Sequence, residues 1–257
     1  MIEIEVPGRG TYRLKHLVLD VKIGSGAFMR TMDDARELAN SLVTIANGAG
    51  LRTSALITDM DEPLASCAGN AIEVQNAVNY LTGRYRDQRL HQVTLQLGAE
   101  LLVNAGLASS PDDAMSRLVG SLDDGSAGER FERMVAALGG PSDFLQNSEA
   151  HLPTAAHVFE VVKKGSGTVR HIDTRAIGVA LIEMGGGRKQ PSDSIDHSVG
   201  FSSLPHKGQF IDENTPIVRV HANDIEAGKR AGEKVACAYH FTSETERGPV
   251  IIERIGP

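Results

Sequence analysis

The run between residues 17 and 59 constrains the fold of this chain more than any other stretch. A short apolar segment, Leu17-Val18-Leu19, is followed by a helical pattern over 33–47 and then by the apolar segment Leu51 to Thr58. Asp33 or Asp34 is in position to cap the helix, and Asn47-Gly48 ends it. Strand, helix and strand at this spacing predict a βαβ unit, because parallel strands need a long crossover between them.

The apolar pattern of that helix predicts which side it buries. Its apolar side chains recur at three- and four-residue intervals and form one stripe: Ala35, Leu38, Ala39, Leu42, Ile45 and Ala46. The loops 20–29 and 59–64 follow the two predicted strands, so both lie at the carboxyl edge of the sheet. That edge is where α/β proteins usually bind ligands.

The rest of the chain divides into a part with helical patterns and a part with short strand-like runs. Further helices are predicted over 69–81, 90–104 and 127–138, and Ser110-Pro111-Asp112-Asp113 is typical of a helix start. From residue 151 short β-branched runs punctuated by glycine dominate. We predict a partial parallel-sheet α/β domain followed by a smaller α+β C-terminal domain. The predicted segments are 1–16, 17–150, 151–223, and 224–257 with a closing helix and strand.

Composition narrows the classes of function. The formal net charge of −7 argues against a nucleic-acid partner, which needs clustered Lys and Arg. The two cysteines, Cys67 and Cys237, have no CxxC partner and fit a reducing cytoplasm. No apolar run approaches the ~20 residues that span a bilayer. The start, MIEIEVPGRG, has no signal-peptide pattern.

Several local motifs have both a functional and an ordinary interpretation. The Gly185–Lys189 run could bind an anion, although a solvated helix end is the simpler interpretation. Asp196-His197-Ser198 holds the three residue types of a catalytic triad, but adjacent residues do not build that relay. The carboxylates of 59–62 could bind a cation or stay solvated. The other histidines lack metal-site spacing; they are His91, His151, His157, His171, His206, His221 and His240.

Read together, five collinear stretches resemble the thymidine phosphorylase / pyrimidine nucleoside phosphorylase family. They are LVLDVKIGSGAFM (17–29), ANGAGLRTSALITDMDEPLASCAGNAIEV (46–74), LPTA (152–155), DTRAIGVALIEMGGGR (173–188) and SDSIDHSVGF (192–201). The resemblance runs from about Leu17 onward and is far more specific than any single motif.

The resemblance implies a pentosyltransferase of nucleoside salvage. Family members cleave thymidine or deoxyuridine with inorganic phosphate, giving the free base and 2-deoxyribose 1-phosphate. They need no cofactor besides phosphate as co-substrate, and they form homodimers through a helical domain. In the family the active site lies between that domain and the α/β domain, and the protein orients phosphate and stabilises the departing base.

The resemblance also implies which groups these 257 residues hold. Phe28 and Met29 match walls of the pyrimidine pocket. In some relatives a cation lies on backbone carbonyls matching Leu64 and Cys67 and on a Glu, where this chain has Asn76. No catalytic residue is carried over, because the Lys-His-Ser-Thr-Gly-Gly-type phosphate loop and the Arg, Ser and Lys that grip the base are absent. We therefore expect a C-terminal part of a family member, inactive alone.

Two alternatives stay open at this stage. The first twenty residues resemble the start of a haloacid dehalogenase-like phosphatase, but Asp20 lacks the second acid and the Thr of that motif. A junction between two reading frames would explain both resemblances. Alternatively, the second domain could be a biotinyl-like carrier or binding module, with Lys163-Lys164-Gly165 as the modified hairpin.

Overall fold

The computed structural model describes residues 3–6, 10–242 and 247–256. These residues form twelve strands and eight α-helices. In chain order the strands are β1 Glu3–Val6, β2 Gly10–Arg13, β3 His16–Ile23, β4 Arg52–Asp59, β5 Cys67–Ala68, β6 His157–Val162, β7 Gly167–Ile172, β8 Gly200–Ser202, β9 Phe210–Ile211, β10 Pro216–Ala222, β11 Tyr239–Thr242 and β12 Ile251–Ile255. The helices are α1 Met32–Gly48, α2 Asn70–Leu81, α3 Gln88–Asn104, α4 Pro111–Asp123, α5 Ser126–Ala137, α6 Phe144–His151, α7 Thr174–Leu181 and α8 Ile225–Ala238.

The chain folds into two compact units. Within the described residues, unit 1 comprises those up to Asp59, then Arg89–Ser121 and the stretch from Pro249. Unit 2 comprises Met60–Gln88 and Leu122–Gly248, without 243–246. Consequently α8 belongs to unit 2 and β12 to unit 1. The domain boundaries drawn from the sequence stay predictions.

The three-stranded sheet of unit 1 confirms the predicted βαβ unit, and β1 and β2 pair separately in a two-stranded sheet. The strand order of the three-stranded sheet is β12-β4-β3; β3 pairs in parallel with β4, and β12 pairs with β4 antiparallel. Helix α1 crosses between the parallel strands, as such a connection requires. Unit 1 therefore has the α/β character that the sequence predicts.

The buried face of α1 differs from the predicted stripe. Ala35 and Ala39 are fully buried and Val43 is nearly so, whereas Ile45 is 68% exposed. The small alanine side chains let the backbone of α1 approach the sheet, where they share one buried cluster with Ile57 of β4. The predicted cap was also wrong, because the Thr31 hydroxyl accepts from the Asp34 amide and makes Thr31 the N-cap.

Unit 2 contains two antiparallel sheets around one core. Their strand orders are β5-β8-β10-β6 and β11-β7-β9. The core joins both sheets to α7 and α8, and its fully buried members include Val169, Phe201, Val218, Val235 and Tyr239. This confirms the smaller α+β part of the predicted fold class. A five-residue π-helical turn, Ile182–Gly186, extends α7 through the predicted glycine run.

The β6–β7 connection does not form the hairpin that a carrier domain needs. β6 pairs with β10, whereas β7 pairs with β11 and β9, so the connection passes from one sheet to the other. The Lys163 ammonium donates to the Ala236 carbonyl at 2.9 Å. A lysine held in this way does not project from a tight hairpin tip.

Helix α8 packs closely on its sheet, and glycines on the helix, Gly228 among them, permit this. A Cβ added at Gly228 would stand 2.7 Å from the Ala222 Cβ and 3.2 Å from the Phe159 ring. Neither neighbour can rotate away, since an alanine Cβ has no freedom and the ring is packed against the core. Absence of a side chain at Gly228 thus sets the distance between helix and sheet.

We expect Gly228→Ala to lower the free energy of unfolding by about 1–2 kcal/mol, because overpacking outweighs the better helix propensity. The matched control is Gly178→Ala in α7, where an added Cβ meets nothing within 4 Å. That change should raise stability by about 0.5–1 kcal/mol. Urea denaturation followed by circular dichroism measures both; equal or higher stability of Gly228→Ala would contradict the close packing.

Candidate functional site

The loop after β3 is closed on itself and presents one aromatic ring. Gly24 has a φ of 126°, in the region that favours glycine. Its amide donates to the Met29 carbonyl at 3.2 Å, and its carbonyl accepts from the Ala27 amide at 3.1 Å. Ala27 is buried, whereas the neighbouring Phe28 is 92% exposed. The loop thus holds the Phe28 ring in solvent at the carboxyl end of a parallel strand.

Met29 behaves differently from its neighbour. Its backbone forms a bridge to Ile23, and its half-buried side chain packs against the core beneath α1. The two residues that the family resemblance singles out are therefore adjacent but unequal. Phe28 offers an open face, and Met29 anchors the loop that carries it.

A polar network that sequence reasoning missed lies where β3 and β4 end. The Thr58 hydroxyl donates to Asp20 Oδ1 at 2.5 Å, and Lys22 Nζ lies 2.7 Å from Asp20 Oδ2 and 2.9 Å from Thr58 Oγ1. Alternation along a strand places Asp20 and Lys22 on one face. The parallel register then sets Thr58 opposite Lys22. The network fastens the two strands beside the Phe28 loop.

Two carboxylates of the run 59–62, Asp59 and Glu62, are each paired with an arginine, so neither of the two sequence interpretations holds for these two side chains. In unit 1, Asp59 Oδ2 lies 2.6 Å from Nη2 of Arg89, which is almost fully buried. In unit 2, Glu62 is 1% exposed and accepts from Arg247 Nε at 3.0 Å and from the Lys207 amide at 3.0 Å. Each carboxylate is thus compensated by the protein's own donors.

The candidate cation residues lie in unit 2, around a buried carboxylate. Asp87 accepts from the Ser66 amide at 3.1 Å, from the Tyr85 hydroxyl at 3.1 Å and from Asn76 Nδ2 at 3.0 Å. Asn76 therefore donates one N–H to Asp87, and the only atom that its side chain could offer to a cation is a neutral oxygen. Among the described residues, no three His, Cys, Asp or Glu side chains are grouped to hold a metal ion.

A cleft of about 630 Å³ opens beside these residues in unit 2. Its walls include Cys67, Asn76, Tyr85 and the pair formed by Ser202 and His221. Ser202 Oγ and His221 Nε2 lie 2.8 Å apart. Burial, followed by the charge of Arg219, lowers the pKa of His221, so its imidazole is neutral at pH 7.

The three triad-type residues form a structural turn. The Ser198 hydroxyl and amide both donate to Asp196 Oδ1, at 2.6 and 3.0 Å, and Asn223 Nδ2 donates to Asp196 Oδ2 at 2.6 Å. The His197 side chain is exposed. Asp196 therefore organises the loop, and the expectation that no relay forms agrees with these contacts.

The glycine-rich anion motif already holds an anion from the chain itself. The amides of Lys189 and Gln190 donate to Asp193 Oδ2 at 3.0 and 2.9 Å, and Arg188 Nε donates to the Asp193 carbonyl at 3.1 Å. The donating amides are those of the last residue of the predicted run and of the residue after it, and not those of the three glycines. An external phosphate would have to displace the Asp193 carboxylate.

The two thiols should react at very different rates. Burial, helped by Glu73 and Asp87, raises the pKa of Cys67 to about 12, so little reactive thiolate forms at pH 8. Cys237 is free and exposed. We expect Ellman's reagent to titrate one thiol in the folded protein and both in urea. In Cys237→Ser the folded signal should vanish; a persisting rapid thiol would show that Cys67 is accessible.

The Asp196 carboxylate should make the free energy of unfolding depend on pH. Hydrogen bonds from Ser198, then Asn223, lower the pKa of Asp196 despite partial burial. A depressed folded pKa means that its contribution is complete above the unfolded value near 4 and is lost as pH falls through the folded value. We expect Asp196→Asn to cost about 1–2 kcal/mol at pH 7 and progressively less below pH ~4. Urea denaturation across this pH range measures it; a pH-independent difference would contradict the ionic origin.

Two family models match the chain. The model described as the glycosyl transferase family a/b domain matches 11–128, and that of the pyrimidine nucleoside phosphorylase C-terminal domain matches 168–242. Together they cover the strands β3 and β4 of unit 1 and most of the core of unit 2. The first match contains Phe28, Met29, Leu64, Cys67 and Asn76, and the second contains the Ser202–His221 pair.

Curated relatives agree with these models. A protein named thymidine phosphorylase from Burkholderia lata is 46% identical over 243 residues, which is 95% of this chain and 56% of that relative. Proteins of the same name from Burkholderia orbicola strain MC0-3 and Burkholderia cenocepacia strain HI2424 are 47% and 48% identical, over 95% and 94% of this chain and 56% and 55% of theirs. The chain spans about half the length of the curated relatives it matches.

Among the residues that the structure describes, no helix combines the length and apolar character needed to cross a lipid bilayer.

The matches are collinear with the sequence stretches that suggested the resemblance, and the fold has the α/β and α+β parts that the resemblance implied. The chain belongs to the thymidine phosphorylase / pyrimidine nucleoside phosphorylase family.

Proposed function

We propose that this chain supplies the pyrimidine-facing part of a pentosyltransferase of the thymidine phosphorylase type. The reaction joins inorganic phosphate to C1′ of thymidine and releases thymine with 2-deoxyribose 1-phosphate. One observation carries the proposal: Phe28, within one of the stretches that resemble the family, is 92% exposed at the carboxyl end of a parallel strand. Relatives named thymidine phosphorylase support the same reaction.

In this proposal Phe28 forms a flat wall against the pyrimidine ring. Stacking of a base on an aromatic side chain is worth about 1–3 kcal/mol, and the closed Gly24–Met29 loop makes the ring available without prior rearrangement. Met29 stabilises that loop from the core side. The Asp20–Lys22–Thr58 network keeps the two strand ends aligned beneath it.

The phosphate half of the reaction requires groups that these 257 residues do not contain. The chain has no Lys-His-Ser-Thr-Gly-Gly-type motif. Since loss of one well-placed transition-state donor costs about 100- to 1000-fold in rate, loss of several together should abolish turnover. We therefore propose that turnover needs a phosphate-binding segment in addition to these residues, with phosphate as co-substrate and no other cofactor.

Further proposals concern partners and location. The family resemblance supports a homodimer formed through a helical domain. The two free cysteines support a cytoplasmic location. A cation on the Leu64 and Cys67 carbonyls is a weak candidate, because Asn76 stands where the resemblance implies a charged Glu ligand.

Neither alternative function gains support from a specific contact. Asp20 is bonded to Lys22 and Thr58 within the strand pair, so it is not an open phosphatase nucleophile. Lys163 donates a hydrogen bond to the Ala236 carbonyl, so it does not project like the modified lysine of a carrier domain. The idea of a junction between two reading frames stays a prediction.

The test is thymidine binding by the full chain and by Phe28→Ala, measured by ligand-observed NMR or calorimetry. We expect the dissociation constant to rise about 10-fold or more, as loss of one stacking face implies. The matched control is Phe210→Ala, which removes another strongly exposed phenylalanine, in unit 2. Equal weakening by both variants, or none by Phe28→Ala, would remove Phe28 from the site.

A phosphorolysis assay on the same preparations tests the second half of the proposal. Thymidine and phosphate with the chain alone should release no thymine above background. Addition of the part of the Burkholderia lata relative that this chain does not match should restore release, and Phe28→Ala should reduce it. Release by the purified chain alone would show that its own residues suffice for phosphate activation.

A further inference from the structure

Two histidines that are far apart in sequence meet on the surface of unit 2. His171 lies in β7 and His240 in β11, and these antiparallel strands place the two residues directly opposite each other. Both side chains are exposed. Their chain neighbours Ile172 and Tyr239, which form the next pair of the register, are fully buried. The backbone beneath the histidines is therefore held by the core, while their rings face solvent.

The two rings already lie together. Their centroids are 5.5 Å apart and their planes differ by 29°. Directly opposite residues of an antiparallel pair are about 5 Å apart at Cβ, so both rings can reach one point above the sheet. An ion that binds nitrogen at about 2.0–2.1 Å needs two nitrogens roughly 3 Å apart in neighbouring coordination positions. Rotation of the exposed side chains about their own torsions is enough to bring the nitrogens to that spacing.

We propose that His171 and His240 form a two-imidazole site for a divalent metal ion of the Cu²⁺, Ni²⁺ and Zn²⁺ class. Imidazole suits these ions, whereas Mg²⁺ and Ca²⁺ require oxygen ligands. The described residues offer no larger group of metal-binding side chains, so water or small anions complete the coordination. The site is independent of the proposed phosphorylase function, and both histidines lie outside the five stretches that carry the family resemblance.

Metal binding at this position would join two strands that come from distant parts of the chain. An ion held by both rings bridges β7 to β11 only in the folded protein. Any ligand with this preference stabilises the folded state in proportion to the logarithm of its concentration. The site would thus act as a removable cross-link on the smaller sheet of unit 2.

The experiment uses the full, tag-free chain with Cu²⁺ as the probe, because Cu²⁺ binds nitrogen sites most tightly in its series. Calorimetry should detect one Cu²⁺ site whose affinity exceeds that of single histidines. Electron paramagnetic resonance should show two equatorial imidazole nitrogens on the bound ion. His171→Asn and His240→Asn should each weaken binding about 100-fold, the loss expected when two linked contacts become one. Circular dichroism checks that each variant is folded.

The matched control is His197→Asn, which removes an exposed histidine elsewhere in unit 2. It should leave the affinity and the two-nitrogen signal unchanged. A second readout uses Zn²⁺, which should raise the melting temperature of the wild type and of His197→Asn but not of either paired variant. Equal Cu²⁺ affinity in wild type and the paired variants, or a single-nitrogen signal in the wild type, would overturn the proposal.

Discussion

The parallel pairing of β3 with β4 is the constraint on which the candidate site depends. Two parallel strands cannot be joined by a tight turn, so α1 must return the chain across the sheet before β4 begins. Both strands then end at the same edge, where Lys22 stands opposite Thr58. The Phe28 loop leaves from that edge and closes back on Ile23. The exposed Phe28 ring, the Met29 side chain that anchors its loop and the Asp20–Lys22–Thr58 network thus all depend on this one strand pairing.

Unit 2 satisfies several of its acidic groups internally. Asp87, Asp193 and Asp196 each accept several hydrogen bonds from nearby amides, hydroxyls or side-chain NH₂ groups, and Glu62 receives an arginine and a backbone amide. A buried carboxylate without such donors would be strongly destabilising. Motifs that look like open binding sites in the sequence are therefore occupied by the protein's own side chains. Sequence spacing shows which residue types are present, but it does not show which groups of the same protein already bind them.

Periodic apolar patterns predicted the long elements well, because these patterns reflect local burial. The βαβ unit, the start of α4 at Pro111 and the α+β part were all predictable. The buried side of α1 was predicted only in part: Ala35 and Ala39 are buried as expected, but Leu38, Leu42 and Ile45 are exposed, because burial depends on how the sheet lies beneath the helix. Helix α6 was missed because its eight residues, interrupted at Asn147, are too few to show a helical period. The two- and three-residue strands were missed because their pairing is long-range. The same reason hid the Asp20–Thr58 contact and the stacked His171–His240 pair.

Strand β12 has a consequence for how the protein is made. It pairs with β4 about 190 residues after β4 itself, and Arg254 and Glu253 fasten it to Glu100 of α3 and Arg36 of α1. At ~5–20 residues per second, a ribosome needs roughly 10–40 s to produce that intervening stretch. Throughout this interval the buried strand β4 has one unpaired edge. Until translation reaches β12, this open edge of the nascent chain is therefore exposed to pairing with other chains.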